Sequence, residues 1–371
     1  MSSSGRKLIP ALALAFVAAF ATGCAAENYP QSIFDPVTDL AVRVNDLFAG
    51  VFWWTMLVLA VVWIGLVFIL IRYRDRPGAQ PRKIYGSNIA EILWTLGPAL
   101  IVISILVPTV RTIFYTYERP ENPLLVEAVG HQWWWEFRYP ELGITTANQL
   151  YLPAGKPIEV RLSSSDVVHN WWVPAFGGKR YNHPVTPVVD GAPTKKDYNV
   201  LYFTVDRPGE YPGQCAEFCG TSHALMRMLV VVQEPDEFEE WVERQRAPQV
   251  GLPAEFRTAE GEAPVGMAEV LARPAEELSL EAQGYQVFVR AGCAACHTID
   301  GTSAVGVLGP NLTNVGARWT IGAGVMSNTR ENMLSWVRNA PEHKPDVKMT
   351  PFTHLSDSEL DALAAYLVSL K

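Results

Sequence analysis

The hydrophobic pattern divides the chain into regions of different period. Leu8 to Phe20 is a short apolar stretch, whereas Leu47 to Ile71 and Ile92 to Val110 are long runs without a charged residue. At about 1.5 Å per residue, either long run crosses a hydrocarbon core of about 30 Å. Between them lie Arg72, Arg74, Arg76, Arg82 and Lys83, and so short a basic loop belongs on the cytoplasmic side. The pattern predicts a transmembrane helical hairpin over 47–114, with the preceding segment 24–46 and everything after Arg111 facing outward. The other reading, two buried helices of a soluble core, fits poorly because such unbroken apolar runs are rare in water-soluble folds.

Beyond the hairpin the period shortens to two. Ile158, Val160 and Leu162 alternate with polar residues, Asn199 to Val205 is rich in β-branched and aromatic types, and Met228 to Val232 follows. Gly and Pro punctuate these runs at Pro153-Ala154-Gly155, Arg207-Pro208-Gly209 and Pro212-Gly213. An all-β sandwich or barrel is expected over 123–240. Residues 241–279 are rich in Ala, Glu and Pro without an apolar period, as in a charged linker. From Leu280 to the end a small all-α domain is expected. Gly284 to Ala291 leads into a cysteine pair, Glu331 to Asn339 is a short helix, and Ser356 with Glu359 forms a capping box. Behind that box Leu360, Leu363, Ala364 and Leu367 share one face. The fold class is thus a multidomain membrane protein: helical hairpin, all-β domain, linker, all-α domain.

Charge and cysteine usage narrow the function classes. With 371 residues each domain can bury a core of its own. A formal charge of −8 excludes nucleic acid as the natural partner and suits a basic protein instead. The five cysteines, at 24, 215, 219, 293 and 296, form two close pairs and one single, unlike a disulfide framework. Arg6 and Lys7 before the first apolar stretch, with Ala21-Thr22-Gly23-Cys24 after it, read as an export signal over 1–23. That site resembles a bacterial lipoprotein box with Cys24 as the lipidated residue, although Ala21 stands where Leu is usual. Ordinary cleavage nearby is the alternative.

The first pair lies in Cys215-Ala216-Glu217-Phe218-Cys219-Gly220-Thr221-Ser222-His223-Ala224-Leu225-Met226. Two thiols, an imidazole and a thioether are soft or borderline ligands, which select copper or zinc over magnesium or calcium. The thioether favours copper in electron transfer, and two close thiolates can bridge two copper ions. His169, on an earlier strand, supplies a second imidazole. Two Cys and two His also suffice for a tetrahedral zinc site. The second pair, Cys293-Ala294-Ala295-Cys296-His297, has the spacing for covalent haem c, with His297 as the proximal ligand. A redox Cys-x-x-Cys pair would sit in a βαβ context that the pattern does not offer. A methionine sixth ligand suits electron transfer, and Met326, Met333 and Met349 are available; His343 and His354 are further candidates.

Over about residues 35–240 the chain resembles subunit II of the bacterial haem-copper cytochrome c oxidases, and over about 280–371 a small cytochrome c. The resemblance implies a cupredoxin-like domain holding a binuclear copper centre, copper A. Cys215 and Cys219 would be its bridging thiolates, His169 and His223 its terminal imidazoles, and Met226 and the Glu217 carbonyl its weak axial ligands. It also implies that the Glu217 side chain reaches a magnesium or manganese ion at the boundary with subunit I. Gly130-His131-Gln132-Trp133-Trp134-Trp135 resembles the aromatic motif that admits electrons, with Trp133 in the admitting position; core packing is the plainer reading of those aromatics. Glu91 matches the carboxylate at the mouth of a proton path in subunit I, but a carboxylate at a helix start is also simply good for the helix dipole. Met349, in Lys348-Met349-Thr350-Pro351-Phe352, resembles the axial methionine loop of the cytochromes, and Gly309-Pro310-Asn311-Leu312 the turn beside the haem.

The order of parts implies electron flow from an external donor protein to haem c, to copper A and to subunit I. There oxygen is reduced to water with proton translocation. The resemblance places the chain in the bacterial inner membrane with both redox domains on the periplasmic face, among other oxidase subunits. Copper-delivery proteins share Cys-x-x-x-Cys and a distant His, but lack counterparts of His223 and Met226 and need no haem domain. Nitrogen-oxide reductase components fit the hairpin and fused cytochrome poorly, and quinol oxidases lack the copper ligands. The run Tyr181 to Asp197 is longer and richer in Pro than the family pattern, which puts the subunit I contact there in doubt.

Overall fold

The structure, a computed structural model, describes residues 29–78, 80, 85–184, 198–247, 251–257 and 267–371. The export signal, Cys24, Arg82, Lys83 and most of the Pro-rich insertion (185–197) lie outside the described residues.

Two long helices, α1 (Asp39–Arg72) and α2 (Asn88–Thr116), are apolar and long enough to cross a membrane, and their spanning windows present no buried residue. Helix α1 starts eight residues before the uncharged run. Thr38 caps it, its side chain accepting from the Ala41 N–H at 3.0 Å. The first turn belongs to the β domain: Leu40 is buried in that core, and Asp39 Oδ1 accepts the Thr204 N–H at 2.8 Å. Charged Arg43 and Asp46 interrupt the apolar pattern there, so hydropathy alone places the start too late.

Among the described residues the β domain has ten strands: β1 (Leu124–His131), β2 (Trp134–Tyr139), β3 (Ile144–Ala147), β4 (Gln149–Pro153), β5 (Pro157–Ser164), β6 (His169–Val173), β7 (Gly177–Pro184), β8 (Asn199–Thr204), β9 (Gly209–Cys215) and β10 (Arg227–Gln233). They pair in the order β3-β2-β1-β5-β7-β6-β9-β10-β4, with β8 on β5. Strand β7 turns the sheet, pairing parallel with β5 and antiparallel with β6. The strand expected at Ile158, Val160 and Leu162 forms with all three in the core, and Leu201, Phe203, Val230 and Val232 join them there. Register matters for function: Trp171 of β6 lies opposite Cys215 of β9, which brings His169 beside the loop between β9 and β10.

The linker expectation needs correction. Helix α3 (Pro235–Arg246), opened by a Glu234 and Glu237 capping box, buries Phe238, Trp241 and Val242 against the β core. Further on, Leu252, Phe256, Val270 and Leu278 are buried in the C-terminal domain. These anchors are single apolar residues at irregular spacing among Glu, Ala and Pro, so no period reveals them.

The C-terminal domain comprises α4 (Met267–Ala272), α5 (Leu280–Arg290), α6 (Arg330–Arg338), α7 (Ala340–His343), α8 (Asp357–Ser369) and a two-residue ribbon, β11 (Thr320–Ile321) with β12 (Met326–Ser327). Helices α5 and α8 touch at Gly284, where a Cβ would stand 2.1 Å from the Ala362 carbonyl oxygen. The Ser356 and Glu359 capping box opens α8 as expected.

Candidate metal and haem sites

The loop from Cys215 to Met226 folds back on itself because both ends are tied to strands. The Cys215 N–H donates to the Met226 carbonyl at 2.9 Å, and the Ala216 N–H to Asn170 at 2.9 Å. The two sulfurs come to 3.8 Å of each other. His169 Nδ1 stands 3.8 Å from Cys215 Sγ, His223 Nδ1 3.6 Å from Cys219 Sγ, and Met226 Sδ 3.9 Å from Cys219 Sγ. The Glu217 carbonyl oxygen lies 3.2 Å from Cys215 Sγ. All six copper ligands expected from the sequence are therefore drawn into one cluster. His169, both sulfurs and Met226 are buried.

This donor set fits a metal pair. Sulfurs at this separation can both bond one ion at about 2.3 Å and can share a second on the opposite side. Soft sulfur with imidazole and one thioether matches copper. The hydrogen bond between the sulfurs, helped by His169, lets Cys215 lose its proton far below the usual thiol range, while that same bond and burial push Cys219 upward, so the metal-free pair shares one proton.

Asp166 was not singled out from the sequence, although it stands three residues before His169. His169 Nε2–H donates to Asp166 Oδ1 at 2.9 Å, which fixes the tautomer and leaves Nδ1 for the metal. Gln132 N and Val167 N also donate to this carboxylate, at 2.7 and 2.8 Å. Burial alone would raise its pKa, but these donors outweigh burial and hold it well below the carboxylate range. His169 responds oppositely: burial lowers its pKa, and Asp166 with Cys215 outweighs that and raises it.

Trp133 is buried under the loop, its indole N–H donating to the Cys219 carbonyl at 3.0 Å. The aromatic run is thus partly core, as its plainer reading has it, yet Trp133 is bonded to the residue that carries a thiolate. Glu91 is exposed in the first turn of α2 and Glu217 is half-buried, with no further acidic ligand gathered around either among the described residues.

In the C-terminal domain Cys293 starts a single turn of 3-10 helix ending at Ala295, and His297 follows. His297 Nδ1–H donates to the Pro310 carbonyl at 2.8 Å, leaving Nε2 as the metal-binding atom. Burial holds this imidazole below its usual pKa, in the neutral form a metal needs, and pushes the Cys293 thiol up to about 11. Gly309 allows the approach, since a Cβ there would stand 2.5 Å from His297 Cε1. This cradle and the Cys-x-x-Cys-His donor set fit a covalently attached haem. Met349 and Met326 both pack half-buried at the edge of the core that also meets Cys293 and Leu312. Met333 is a core residue, His343 shares a 2.9 Å hydrogen bond with Ser335, and His354 is exposed.

Three family models match consecutive parts of the chain: "Cytochrome C oxidase subunit II, transmembrane domain" at residues 26–112, "Cytochrome C oxidase subunit II, periplasmic domain" at 142–234, and "Cytochrome c" at 281–371. The chain is 32% identical over 368 residues to cytochrome c oxidase subunit 2 of Alkalihalophilus pseudofirmus, covering 97% of this chain and 96% of the relative. It is 32% identical over 315 residues to the same subunit of Bacillus sp. PS3, covering 81% and 80%. A quinol oxidase subunit 2 of Bacillus cereus matches at 32% over 241 residues, covering 62% of this chain and 78% of the relative.

Proposed function

This chain belongs to the cytochrome c oxidase subunit II family, with a fused cytochrome c domain, and on that premise we propose that it relays electrons from an outside donor to the oxygen-reducing subunit I of a bacterial inner-membrane oxidase. In this reading Cys215 and Cys219 would be the thiolate ligands of a copper pair, His169 and His223 its imidazole ligands, and Met226 and the Glu217 carbonyl its weak ligands. Cys293 and Cys296 would attach haem c, and His297 and Met349 would bind its iron. When bound, the two groups would supply one-electron carriers. The residues supply the rest. Asp166 holds His169 in its ligand tautomer, burial of both sulfurs keeps water away, and Trp133 ties the electron-admitting aromatic face to the Cys219 carbonyl. Glu91 at the mouth of a proton path, a magnesium or manganese ion on the Glu217 side chain, and lipid on Cys24 complete the reading.

The observation that carries it is the convergence of four further donor groups on two sulfurs 3.8 Å apart, in a chain that also holds Cys-x-x-Cys-His. The quinol oxidase relatives raise a second reading, in which quinol is the donor. Oxygen uptake by the purified complex separates them. Reduced c-type cytochrome is expected to drive uptake that Cys219→Ser and His297→Ala each abolish. Quinol-driven uptake untouched by Cys219→Ser would overturn the first reading in favour of the second.

A further inference from the structure

Lys344, at the end of α7, carries a buried ammonium with no carboxylate bonded to it among the described residues. The residue is 2% exposed. Its Nζ donates to three backbone carbonyls: Trp133 at 2.5 Å, Leu225 at 2.9 Å and Gly322 at 2.9 Å. An ammonium buried this far from water is tolerated only where its protons are satisfied. Here all three are, but two of the acceptors belong to the copper domain and one to the haem domain. The pocket therefore exists only when the two domains are in contact.

Those two acceptors are not arbitrary parts of the copper domain. Trp133 bonds the Cys219 carbonyl, and Leu225 precedes Met226 in the copper loop. Around the ammonium the same two surfaces are joined again. Ser222 Oγ donates to the Pro345 carbonyl at 2.5 Å, Thr221 Oγ1 to Asp346 at 2.5 Å, and the Arg227 N–H to the Ala323 carbonyl at 3.2 Å. Lys348 Nζ reaches Asp166, the partner of His169, at 3.5 Å. The stretch from Lys344 to Lys348 thus lies along the copper loop and leads directly into Met349, assigned above as a haem ligand.

We propose that Lys344 is a positioning residue that pins the fused cytochrome onto the copper loop in the one orientation used for electron transfer between the two centres. This rests on the function proposed above. Three donor bonds on a single buried head fix orientation, whereas a surface ion pair such as Lys348 with Asp166 contributes little by itself. Replacing the ammonium by a carboxylate would face negative charge against three carbonyl oxygens and release the domain.

Two experiments on the intact oxidase test this. In the first, lysines are acylated under native conditions and mapped by mass spectrometry. Lys344 is expected to stay unlabelled while Lys348, 68% exposed on the same stretch, is labelled. Equal labelling overturns the proposal, and this readout requires neither metal nor turnover. In the second, an electron is injected by flash into the haem of Lys344→Glu and its arrival at copper is followed optically. Transfer is expected to slow by at least about tenfold, the equivalent of one charged hydrogen bond, with haem content and copper band unchanged. Transfer at the wild-type rate overturns the proposal. Should the variant not assemble, the labelling decides alone. A wild-type oxidase lacking the copper band or covalent haem would instead refute the proposed function and leave the docking result standing.

Discussion

Asp166→Ala removes a carboxylate that accepts from His169 Nε2, Gln132 N and Val167 N. The imidazole is fully buried, so its Nε2–H has no water to turn to. A hydrogen bond to a charged acceptor contributes about 1.5–3 kcal/mol net. Loss of a carboxylate that orients a metal-binding histidine typically lowers metal affinity about 10–100-fold, which converts to about 1.4–2.8 kcal/mol. The two ranges coincide, as they should if the chief effect is freedom of the His169 ring to turn Nδ1 away from Cys215. The assay is a competition titration of the copper-loaded chain against a chelator, with haem content as an internal control. Asp166→Ala is expected to release copper at about 10–100-fold lower chelator concentration, and Asp166→Asn, which keeps one acceptor oxygen, at an intermediate value. Copper held by Asp166→Ala within about twofold of the wild type would show that the ring is oriented by packing alone and refute this reasoning.

Other residues give independent checks. Glu136 is held at about 2 in the folded chain by His131 and Arg138, against the pull of burial, which raises it. A depressed carboxylate stabilises above its unfolded pKa and loses that contribution as pH falls through the folded value. Wild-type stability should therefore lose about 3 kcal/mol from this group between about pH 4.5 and 2, a slope absent from Glu136→Gln in urea unfolding. Gly309→Ala would drive a methyl group into His297 Cε1 from 2.5 Å. Covalent haem should remain, but its absorption should change from low-spin to high-spin, and an unchanged spectrum would contradict the assigned ligand. Ser356→Ala removes one half of the α8 capping box and should lower stability by about 1 kcal/mol, read by thermal unfolding.

Legibility in the sequence followed the range of the interactions concerned. The membrane runs, the alternation in β5, the β-branched and aromatic runs of β8 and β10 and the α8 capping box are local patterns, and the structure repeats them as helices and strands. The copper ligands were legible because five of the six lie within twelve consecutive residues, and His169 stands on an earlier strand of the same domain, where a second imidazole was needed. Anchors such as Phe256 and Val270 were not legible, because their partners sit elsewhere in the fold and their neighbours are linker-like. Asp166 and Lys344 escaped for the same reason: an aspartate near a histidine and a lysine in a polar stretch become informative only once Gln132, Trp133 and Leu225 are brought to them.

The central claim is that one chain carries a binuclear copper centre and a covalent haem. The most direct measurement is a metal and haem count on the full-length chain, matured with haem and copper, together with oxidised and reduced absorption spectra. The account predicts about two coppers per covalent haem and a thiolate-to-copper band that bleaches on reduction. One zinc, or a single labile copper beside the haem, would contradict it.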